Sequence, residues 1–394
     1  MSEQNDNGKL GIGFVGAGWM GATLLKRLTE RDDTRILGLH QRGRDRAVEV
    51  LDGLGLDAGL YTDRFEDLIE NPEVGAVFLC STNEAHGPQS IAALEAGKHV
   101  FCEKPCATVF GDFVRQIELE KAHPGLITMV DYLMNFDTLE QRLQDMARRG
   151  DFGTITQIQV NYRHPINIAG DKVWKLAAGR MGDAIGMGII HSLSAMVNIM
   201  AAQGAKPARV YANCSDTHAR PFEIPALWNL HIEFDNGATG LCFGNVDQAN
   251  GYDAYHNVHG TEGGLIFDSY LDRPQKIRHW SKRATDGRWV YPLDPDRCRR
   301  DGLEACLWPE DTTTPDSGDV VHHQTHKCTG HFMDCVNTGQ QSFLSFVNSA
   351  PVAEIGWAAQ MSAAWKKPID LPLDHAAAAE FFGKNRLPRI PSTV

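Results

Sequence analysis

Residues 11–21, GIGFVGAGWMG, constrain the fold of this chain more than any other segment. They place three glycines in a G-x-G-x-x-G pattern after a β-rich run. In such a loop the first glycine permits a tight turn, the second lets a pyrophosphate approach a helix N-terminus, and the third allows close helix–strand packing. The pattern predicts dinucleotide binding, with a structural glycine turn as the alternative. The loop residues expected at the cofactor are Gly16, Gly18, Trp19, Met20 and Gly21.

The first third of the chain alternates between two hydrophobic periods. β-rich runs occur at 10–16, 35–40, 74–80, 99–103 and 126–131. The segments between them carry apolar residues spaced by three and four, which is typical of amphipathic helices. Strands that alternate with helices form parallel βαβ units. The sequence therefore predicts an α/β chain whose N-terminal domain, residues 8–132, is a Rossmann-type doubly wound parallel sheet.

The pattern changes after about residue 150, where strand patterns follow one another directly. They lie at 154–163, 227–246, 257–268 and 287–293, and the second contains the hairpin signal Asp235-Asn236-Gly237. Helices are expected near 183–202, 322–338 and 351–366, and residues 294–320 are expected to be irregular. We therefore predict a C-terminal α/β domain, 133–394, with an open, mostly antiparallel sheet.

Charge and cysteine usage exclude several classes of protein. The 394-residue chain has a net charge of −12 and no block of Lys or Arg, which argues against nucleic acid or an anionic membrane as a partner. Its nine cysteines are scattered, as expected for reduced thiols in a cytoplasm. The polar start MSEQNDNGK has no apolar signal core, and no run of 18 apolar residues occurs. We expect a cytoplasmic protein.

The end of the second predicted strand bears on the choice of cofactor. NAD-binding folds usually place Asp or Glu there, about 20 residues after the glycines, to hold the ribose 2′-hydroxyl. This chain has Gln41 followed by Arg42. A neutral residue and a guanidinium suit a 2′-phosphate, so the sequence favours NADP over NAD. Gln41 can also serve an NAD ribose, which leaves both cofactors open.

Two further segments carry a family resemblance. The fourth and fifth predicted strands end in STNEAH (81–86) and HVFCEKP (99–105). With the glycine loop, they resemble the Gfo/Idh/MocA oxidoreductases, which include glucose–fructose oxidoreductase and inositol dehydrogenase. The resemblance covers nearly the whole chain. It implies an NAD(P)-dependent enzyme that needs no metal, with Ser81, Asn83, His86 and Glu103 at the cofactor.

The E-K-P element proposes a role for Lys104. In the family this lysine reaches both cofactor and substrate, and it takes the proton of the hydroxyl that is oxidised while hydride passes to the nicotinamide. A lysine beside a nicotinamide cation has a lowered pKa, which suits a general base near neutral pH. The alternative is a surface lysine that precedes a helix.

The second catalytic element of the family, D-x-x-x-H on a helix, is incomplete here. His191 matches the histidine, but Met187 stands where the aspartate is expected. Asp183 lies one turn earlier, as a candidate catalytic carboxylate or as a helix N-cap. His191 is expected to be an acid/base or to bind the reacting hydroxyl, and a packed histidine is the alternative.

Other polar residues are candidates by position only. The resemblance implies a sugar pocket near two segments, and the residues predicted to bind substrate there are Tyr162, Arg163, Lys172, Trp174 and Lys175, with His164 beside them. A core tryptophan and solvated lysines are the alternatives. Where the family often has N-x-R-F, this chain offers Tyr132 or Asn135. His322 and His326, spaced i, i+4, are too weak a pattern to predict zinc.

The sequence leaves more than one function open. The leading hypothesis is hydride transfer between NAD(P) and a secondary alcohol or ketone of a sugar, inositol or glycoside. The alternative is a redox-neutral glycosidase that oxidises, eliminates, adds water and re-reduces. A third possibility is a cofactor-binding sensor without chemistry. The resemblance also implies a homodimer or homotetramer, because the second sheet commonly forms the family's oligomer face.

Overall fold

A computed structural model describes residues 8–217, 219–248, 251, 253–268, 271–312 and 324–384. The chain forms two compact units. The first contains the described residues up to Tyr132 together with Gln324–Ala350, and the second contains the other described residues. This division differs from the predicted one, because a late segment of the chain belongs to the first unit.

The first unit contains a six-stranded sheet in the order β3-β2-β1-β4-β5-β6, and every pair in it is parallel. Its strands are β1 (Leu10–Val15), β2 (Thr34–His40), β3 (Tyr61–Thr62), β4 (Val74–Leu79), β5 (His99–Cys102) and β6 (Thr128–Val130). The helices between them are α1 (Trp19–Thr29), α2 (Arg44–Gly53), α3 (Glu66–Ile69), α4 (Asn83–Glu95) and α5 (Phe110–Ala122). The predicted doubly wound parallel sheet is confirmed.

The second unit contains an eight-stranded sheet in the order β13-β12-β11-β7-β10-β9-β8-β14. Its strands are β7 (Ile155–Arg163), β8 (Pro207–Ser215), β9 (Leu227–Phe234), β10 (Thr239–Asn245), β11 (His256–Gly260), β12 (Gly263–Phe267), β13 (Ile277–Ser281) and β14 (Ile369–Asp370). Only the β7–β10 pair is parallel within this described sheet. The mostly antiparallel sheet is therefore confirmed, and so is the hairpin at Gly237, whose φ is +86°.

The remaining helices follow in chain order. They are α6 (Thr138–Arg149), α7 (Ala178–Met181), α8 (Ile190–Ala201), α9 (Pro295–Arg300), α10 (Thr325–Thr338), α11 (Ala350–Trp365) and α12 (His375–Lys384). A π-helical turn, Ile185–Ile189, leads directly into α8. The stretch Ala178–Ala201 is long and apolar enough to cross a membrane by length and composition, but 83% of its apolar window is buried, as in a core helix.

Two local predictions for the second unit are wrong. The strand expected at 287–293 is reduced to one bridge, in which Val290 pairs with His279 of β13. The irregular stretch expected at 294–320 contains α9, where the Asp294 carboxylate accepts from the Arg297 N–H at 3.0 Å and Pro295 occupies the first turn. The sequence carried this cap signal. Residues 313–323 lie outside the described residues.

The segment 324–350 joins the first unit through buried contacts. Phe332 of α10 packs edge-on against Phe78 and Phe101, with ring centroids 5.2 and 5.7 Å apart. The buried Glu120 carboxylate of α5 accepts from the Ser345 hydroxyl at 2.8 Å and from the Val347 N–H at 3.1 Å. Such contacts between distant parts of a chain leave no local pattern, so the sequence placed this segment in the second domain.

Candidate active site

The three glycines of the loop differ in whether the fold could accept a side chain at their positions. Gly16 has φ +95°, and a Cβ atom there would lie 2.2 Å from the Cys80 carbonyl oxygen. A Cβ on Gly21 would lie 2.1 Å from the Gly16 carbonyl oxygen. A Cβ on Gly18 would meet no protein atom within 4 Å, and the backbone of Gly18 is extended. The fold therefore needs the first and third glycines but has no need of the second.

The N-terminus of α1 follows directly from Gly18 and has the properties of an anion site. No side chain caps the helix, and its first turn contains no acidic residue. The free N–H groups and the helix dipole thus present positive potential at the loop. Trp19, in the first turn, is 56% exposed. These features fit the pyrophosphate of a dinucleotide, which a side chain at Gly18 would obstruct.

Two side chains that follow β2 form hydrogen bonds with the glycine loop. Gln41 accepts a hydrogen bond from the Ala17 N–H at 3.0 Å. The Arg46 Nε donates to the Ala17 carbonyl oxygen at 3.0 Å, and the Arg46 guanidinium pairs with Glu49 at 2.8 Å. Arg42 is exposed. Gln41 and Arg46 thus hold the N–H and the carbonyl oxygen of the same loop residue.

His86 joins the loops that follow β4 and β5. One ring nitrogen lies 2.8 Å from the Pro105 carbonyl oxygen and the other 3.2 Å from that of Ser81. Burial lowers the pKa of His86, and the hydrogen bonds to the two carbonyl oxygens oppose that shift. Both nitrogens are used within the protein, which makes His86 a support for these loops. Asn83 is buried at the start of α4, and the Ser81 hydroxyl donates to Gln89 at 2.6 Å.

Lys104 follows β5 at the carboxyl edge of the parallel sheet, where ligands of such sheets bind. Its backbone N–H donates to Glu103 Oε2 at 3.0 Å, and the Lys104–Pro105 peptide bond is cis. The side chain is half-buried. Burial lowers the pKa of Lys104, and the negative charges of Glu103 and Asp131 oppose that shift.

A buried carboxyl pair lies beside Lys104. Glu103 follows β5 and Asp131 follows β6, the neighbouring strand. Burial, with the Asp131 charge second, raises the pKa of Glu103 to about 8. Burial also raises the pKa of Asp131, while hydrogen bonds from Cys328 and Glu103 lower it. Glu103 therefore keeps its proton to a higher pH than a free carboxyl does. Sequence reasoning missed Asp131, although its position directly after a parallel strand was a signal.

In the second unit, His191 of α8 lies beside Tyr162 of β7. Their ring centroids are 6.2 Å apart, and His191 is 9% exposed. Tyr162 also contacts the His164 ring edge-on at 6.1 Å. Gly188 permits this arrangement, because a Cβ there would lie 2.6 Å from a Tyr162 ring carbon. The second unit thus brings together two of the residues predicted to act on substrate.

Asp183 has the hydrogen bonds of a helix cap, the second of the two roles that its position suggested. One carboxylate oxygen accepts from the Gly186 N–H at 2.8 Å, and the other accepts from the Gln360 amide at 3.1 Å. Burial raises the pKa of Asp183 to about 6. Met187, in the place of the family aspartate, is buried. Both Asp183 oxygens thus have a partner within the protein, and a catalytic role for this residue stays a prediction.

The remaining candidates have partners of their own. Arg163 contacts Asp253 at 3.4 Å, and the Trp174 ring is faced by Lys175 at 5.9 Å and Arg180 at 5.7 Å. Lys172 is half-buried. Their role in substrate binding stays a prediction.

Three further candidates are also accounted for. Tyr132 is fully buried, and Asn135 donates to the Ser194 hydroxyl at 2.7 Å, so both belong to the packed interior. His326 is exposed, whereas His322 lies outside the described residues. Among the described residues no group of three or more metal-ligating side chains occurs.

Two stretches of the chain match models of known protein families. Residues 10–132 match an oxidoreductase family with an NAD-binding Rossmann fold, and residues 141–266 match the Gfo/Idh/MocA C-terminal domain. Together the two models cover more than half of the chain. The chain belongs to the Gfo/Idh/MocA oxidoreductase family. Its first unit is accordingly an NAD-binding Rossmann domain, which the open cradle at Gly18 fits.

Relatives of this Gfo/Idh/MocA protein have named activities. It is 28% identical to a myo-inositol 2-dehydrogenase of Thermotoga maritima over 262 residues. This alignment covers 66% of this chain and 75% of the relative. It is also 28% identical to an inositol 2-dehydrogenase of Salmonella typhimurium over 278 residues. That alignment covers 70% of this chain and 79% of the relative.

Solved structures share the fold of this family member. A levoglucosan dehydrogenase in complex with NADH and levoglucosan has a TM-score of 0.74 at 21% identity, over 92% of this chain and all of that one. An aldose–aldose oxidoreductase of Caulobacter crescentus has a TM-score of 0.72 at 21% identity, with the same coverage.

Proposed function

We propose that this protein is a nicotinamide-dependent dehydrogenase or reductase that acts on a secondary alcohol or ketone of a sugar, inositol or glycoside. The observation that carries the proposal is the position of Lys104. It stands at the carboxyl edge of the Rossmann sheet, two strands from the glycine loop, in the strand order β1-β4-β5. The named relatives support the substrate class, since they are inositol 2-dehydrogenases.

The residues of the first unit would hold the cofactor and handle the proton. The glycine loop and the N-terminus of α1 would bind the pyrophosphate, with the loop held by Gln41 and Arg46. The bound nicotinamide supplies the hydride acceptor. The neutral amine of Lys104 takes the proton of the substrate hydroxyl, so that the O–H bond breaks as an N–H bond forms. Burial lowers the pKa of Lys104, which favours the neutral amine that a general base requires.

The second unit would contribute substrate contacts. We propose that His191 binds the reacting hydroxyl, since its ring is held against Tyr162 on a buried helix. Tyr162, Arg163, Lys172, Trp174 and Lys175 would shape the pocket. Asp183 remains a further candidate for the proton chemistry, although hydrogen bonds within the protein engage both of its carboxylate oxygens.

We also propose a preference for NADP. Gln41 is neutral and Arg42 is exposed next to it, so no carboxylate at this strand end would repel a 2′-phosphate. The Gln41 side chain accepts the Ala17 N–H through its oxygen. A glutamate at this position could accept the same bond and would differ from glutamine mainly in charge.

This preference predicts opposite effects for two substitutions. Gln41→Glu keeps the acceptor for Ala17 but adds a negative charge, so it should weaken NADP binding by about 10-fold or more and leave NAD binding nearly unchanged. Arg42→Ala should lose a similar factor for NADP alone. Arg44→Ala is the matched control, because the Arg44 guanidinium lies over the Tyr61 ring at 5.9 Å. Dissociation constants from calorimetry check the result, and equal losses for both cofactors would contradict the preference.

The activity itself is tested on protein as purified. The protein is denatured, any released nicotinamide cofactor is identified by mass, and native protein is then assayed with inositols, free sugars and aryl glycosides. Cofactor reduction that depends on an inositol or sugar is the expected result. Release of aglycone without added cofactor would instead establish the redox-neutral glycosidase. Inertness across the panel despite cofactor binding would favour the sensor and overturn both enzymatic hypotheses.

A further inference from the structure

The parallel strands β7 and β10 end side by side in the second unit. They pair in register up to their last residues, and β7 carries Tyr162. The His164 N–H, one residue after β7, donates to the carbonyl oxygen of Asn245, the last residue of β10, at 2.9 Å. Residues 166–178, here called the substrate segment, begin at this strand end. The segment contains three of the residues predicted to bind substrate, which are Lys172, Trp174 and Lys175.

An arginine from the loop between β8 and β9 holds the start of the substrate segment. The Arg220 guanidinium donates through Nη1 to the Ile166 carbonyl oxygen at 2.5 Å and through Nη2 to that of Val246 at 2.8 Å. Its Nε donates to the buried Asp247 carboxylate, which also accepts from the Arg220 N–H at 3.1 Å and from the Thr217 hydroxyl. Each guanidinium nitrogen therefore has an acceptor within the protein, and together these bonds join the ends of β7 and β10.

The same loop contacts the other end of the substrate segment three residues later. The Glu223 N–H donates to the Leu176 carbonyl oxygen at 3.0 Å, and the Glu223 carboxylate accepts from the Ala178 N–H at 2.9 Å. Glu223 is exposed, whereas its neighbours Phe222 and Ile224 are buried, so the loop is fixed to the second unit on both sides of Glu223. One loop therefore holds the substrate segment near both of its ends.

We propose that Arg220 and Glu223 are positioning residues, which hold the substrate segment in the conformation that binds substrate. The inference rests on the proposed function, in which this segment shapes the substrate pocket. A segment that is ordered before the substrate arrives loses less conformational entropy on binding. If part of the population leaves the binding conformation, the apparent affinity falls by that fraction. Loss of either contact should therefore weaken substrate binding and leave the proton transfer by Lys104 unchanged.

Limited digestion with trypsin tests these contacts without any substrate. Lys172 and Lys175 lie in a short 3₁₀ helix of the substrate segment, Gly170–Leu176, and peptide mass spectrometry measures cleavage after each lysine. Cleavage of a native protein requires local opening, and the loss of one hydrogen bond makes opening about fivefold more frequent. Glu223→Ala should therefore be cut about fivefold faster at both lysines, with a melting temperature close to that of the wild type. A change in rate below about twofold would overturn the proposal.

Two matched variants make the digestion specific. Glu223→Gln keeps an oxygen that can accept from the Ala178 N–H, so it should be cut at the wild-type rate. Glu262→Ala removes another exposed glutamate of the second unit, which pairs with Lys282 at 3.6 Å, and it should also behave as the wild type. Equal rates in Glu223→Gln and Glu223→Ala would show that the charge of Glu223 matters rather than its hydrogen bond, which would contradict the proposed role.

The contact at the start of the segment is tested with Arg220→Lys. This variant keeps a positive charge beside the buried Asp247, but an ammonium lacks the planar fork that reaches Ile166, Val246 and Asp247 together. The substrate segment should again be cut at least about fivefold faster. Digestion of folded Arg220→Lys at the wild-type rate would overturn the role of Arg220. Its melting temperature shows whether it folds, and the Glu223 variants decide the proposal if it does not.

Turnover separates this inference from the proposed function. With a substrate from the panel, Glu223→Ala should raise KM about fivefold and keep kcat within about twofold, and Glu223→Gln should restore KM. A fall in kcat at unchanged KM would contradict a role in positioning the segment for binding. If the wild type converts no substrate, the proposed function fails, and the digestion alone decides whether the loop holds the segment. If the wild type is active but neither the digestion nor KM changes in the variants, the inference fails alone.

Discussion

Replacement of Lys104 by alanine should reduce kcat by about 10²- to 10⁴-fold, the range that a general base contributes. The variant removes the amine that takes the substrate proton and leaves the glycine loop, Gln41 and Arg46 in place. Cofactor affinity should therefore stay within about threefold of the wild type, because no pyrophosphate contact is lost. Steady-state kinetics with an active sugar or inositol, together with calorimetric titration of the cofactor, measure both quantities.

Two comparisons make the Lys104 result specific. Lys121→Ala removes an exposed lysine of α5 and should leave kcat unchanged. Small primary amines added to Lys104→Ala should restore part of the activity, since they can replace the missing base in the space that it leaves. Unchanged turnover in Lys104→Ala would remove Lys104 as the base. Loss of cofactor binding in parallel with turnover would instead assign it to the cofactor site.

Much of the Rossmann unit was predictable because its signals are local. The change between strand and helix periods, the glycine spacing and the E-K-P turn all lie within short windows of the chain, and these windows alone predict that Gly16 and Lys104 stand at strand ends. The carboxyl edge of a parallel sheet then brings those strand ends together. The site in the first unit followed from this topology.

The features that sequence reasoning missed depend on contacts between distant segments. The surroundings of Asp131 depend on the pairing of β6 with β5 and on the hydrogen bond from Cys328 of α10, which is distant in sequence. The segment 324–350 joins the first unit through Glu120, a buried acceptor with no local pattern. At Asp183 the sequence left two roles open, and only the Gln360 contact, 177 residues away, shows that both oxygens are engaged.

Replacement of Gly18 by aspartate should abolish cofactor binding without loss of stability. The open space around a Cβ at this position and its extended backbone let the fold accept a side chain. An aspartate there would cap α1 and stabilise the helix by about 0.5 kcal/mol. The same carboxylate would occupy the N–H groups that a pyrophosphate needs and would repel its charge. Cofactor affinity should therefore fall by at least about 100-fold.

The control for Gly18→Asp is the third glycine of the same loop. A Cβ on Gly21 would overlap the Gly16 carbonyl oxygen, so Gly21→Ala should lower the melting temperature of the cofactor-free protein by about 5 °C. Cofactor should raise the melting temperature of the wild type but not that of Gly18→Asp. Thermal melts with and without cofactor thus separate a ligand-binding glycine from a structural one. A stable Gly18→Asp variant that still binds cofactor would show that the pyrophosphate does not approach this helix N-terminus.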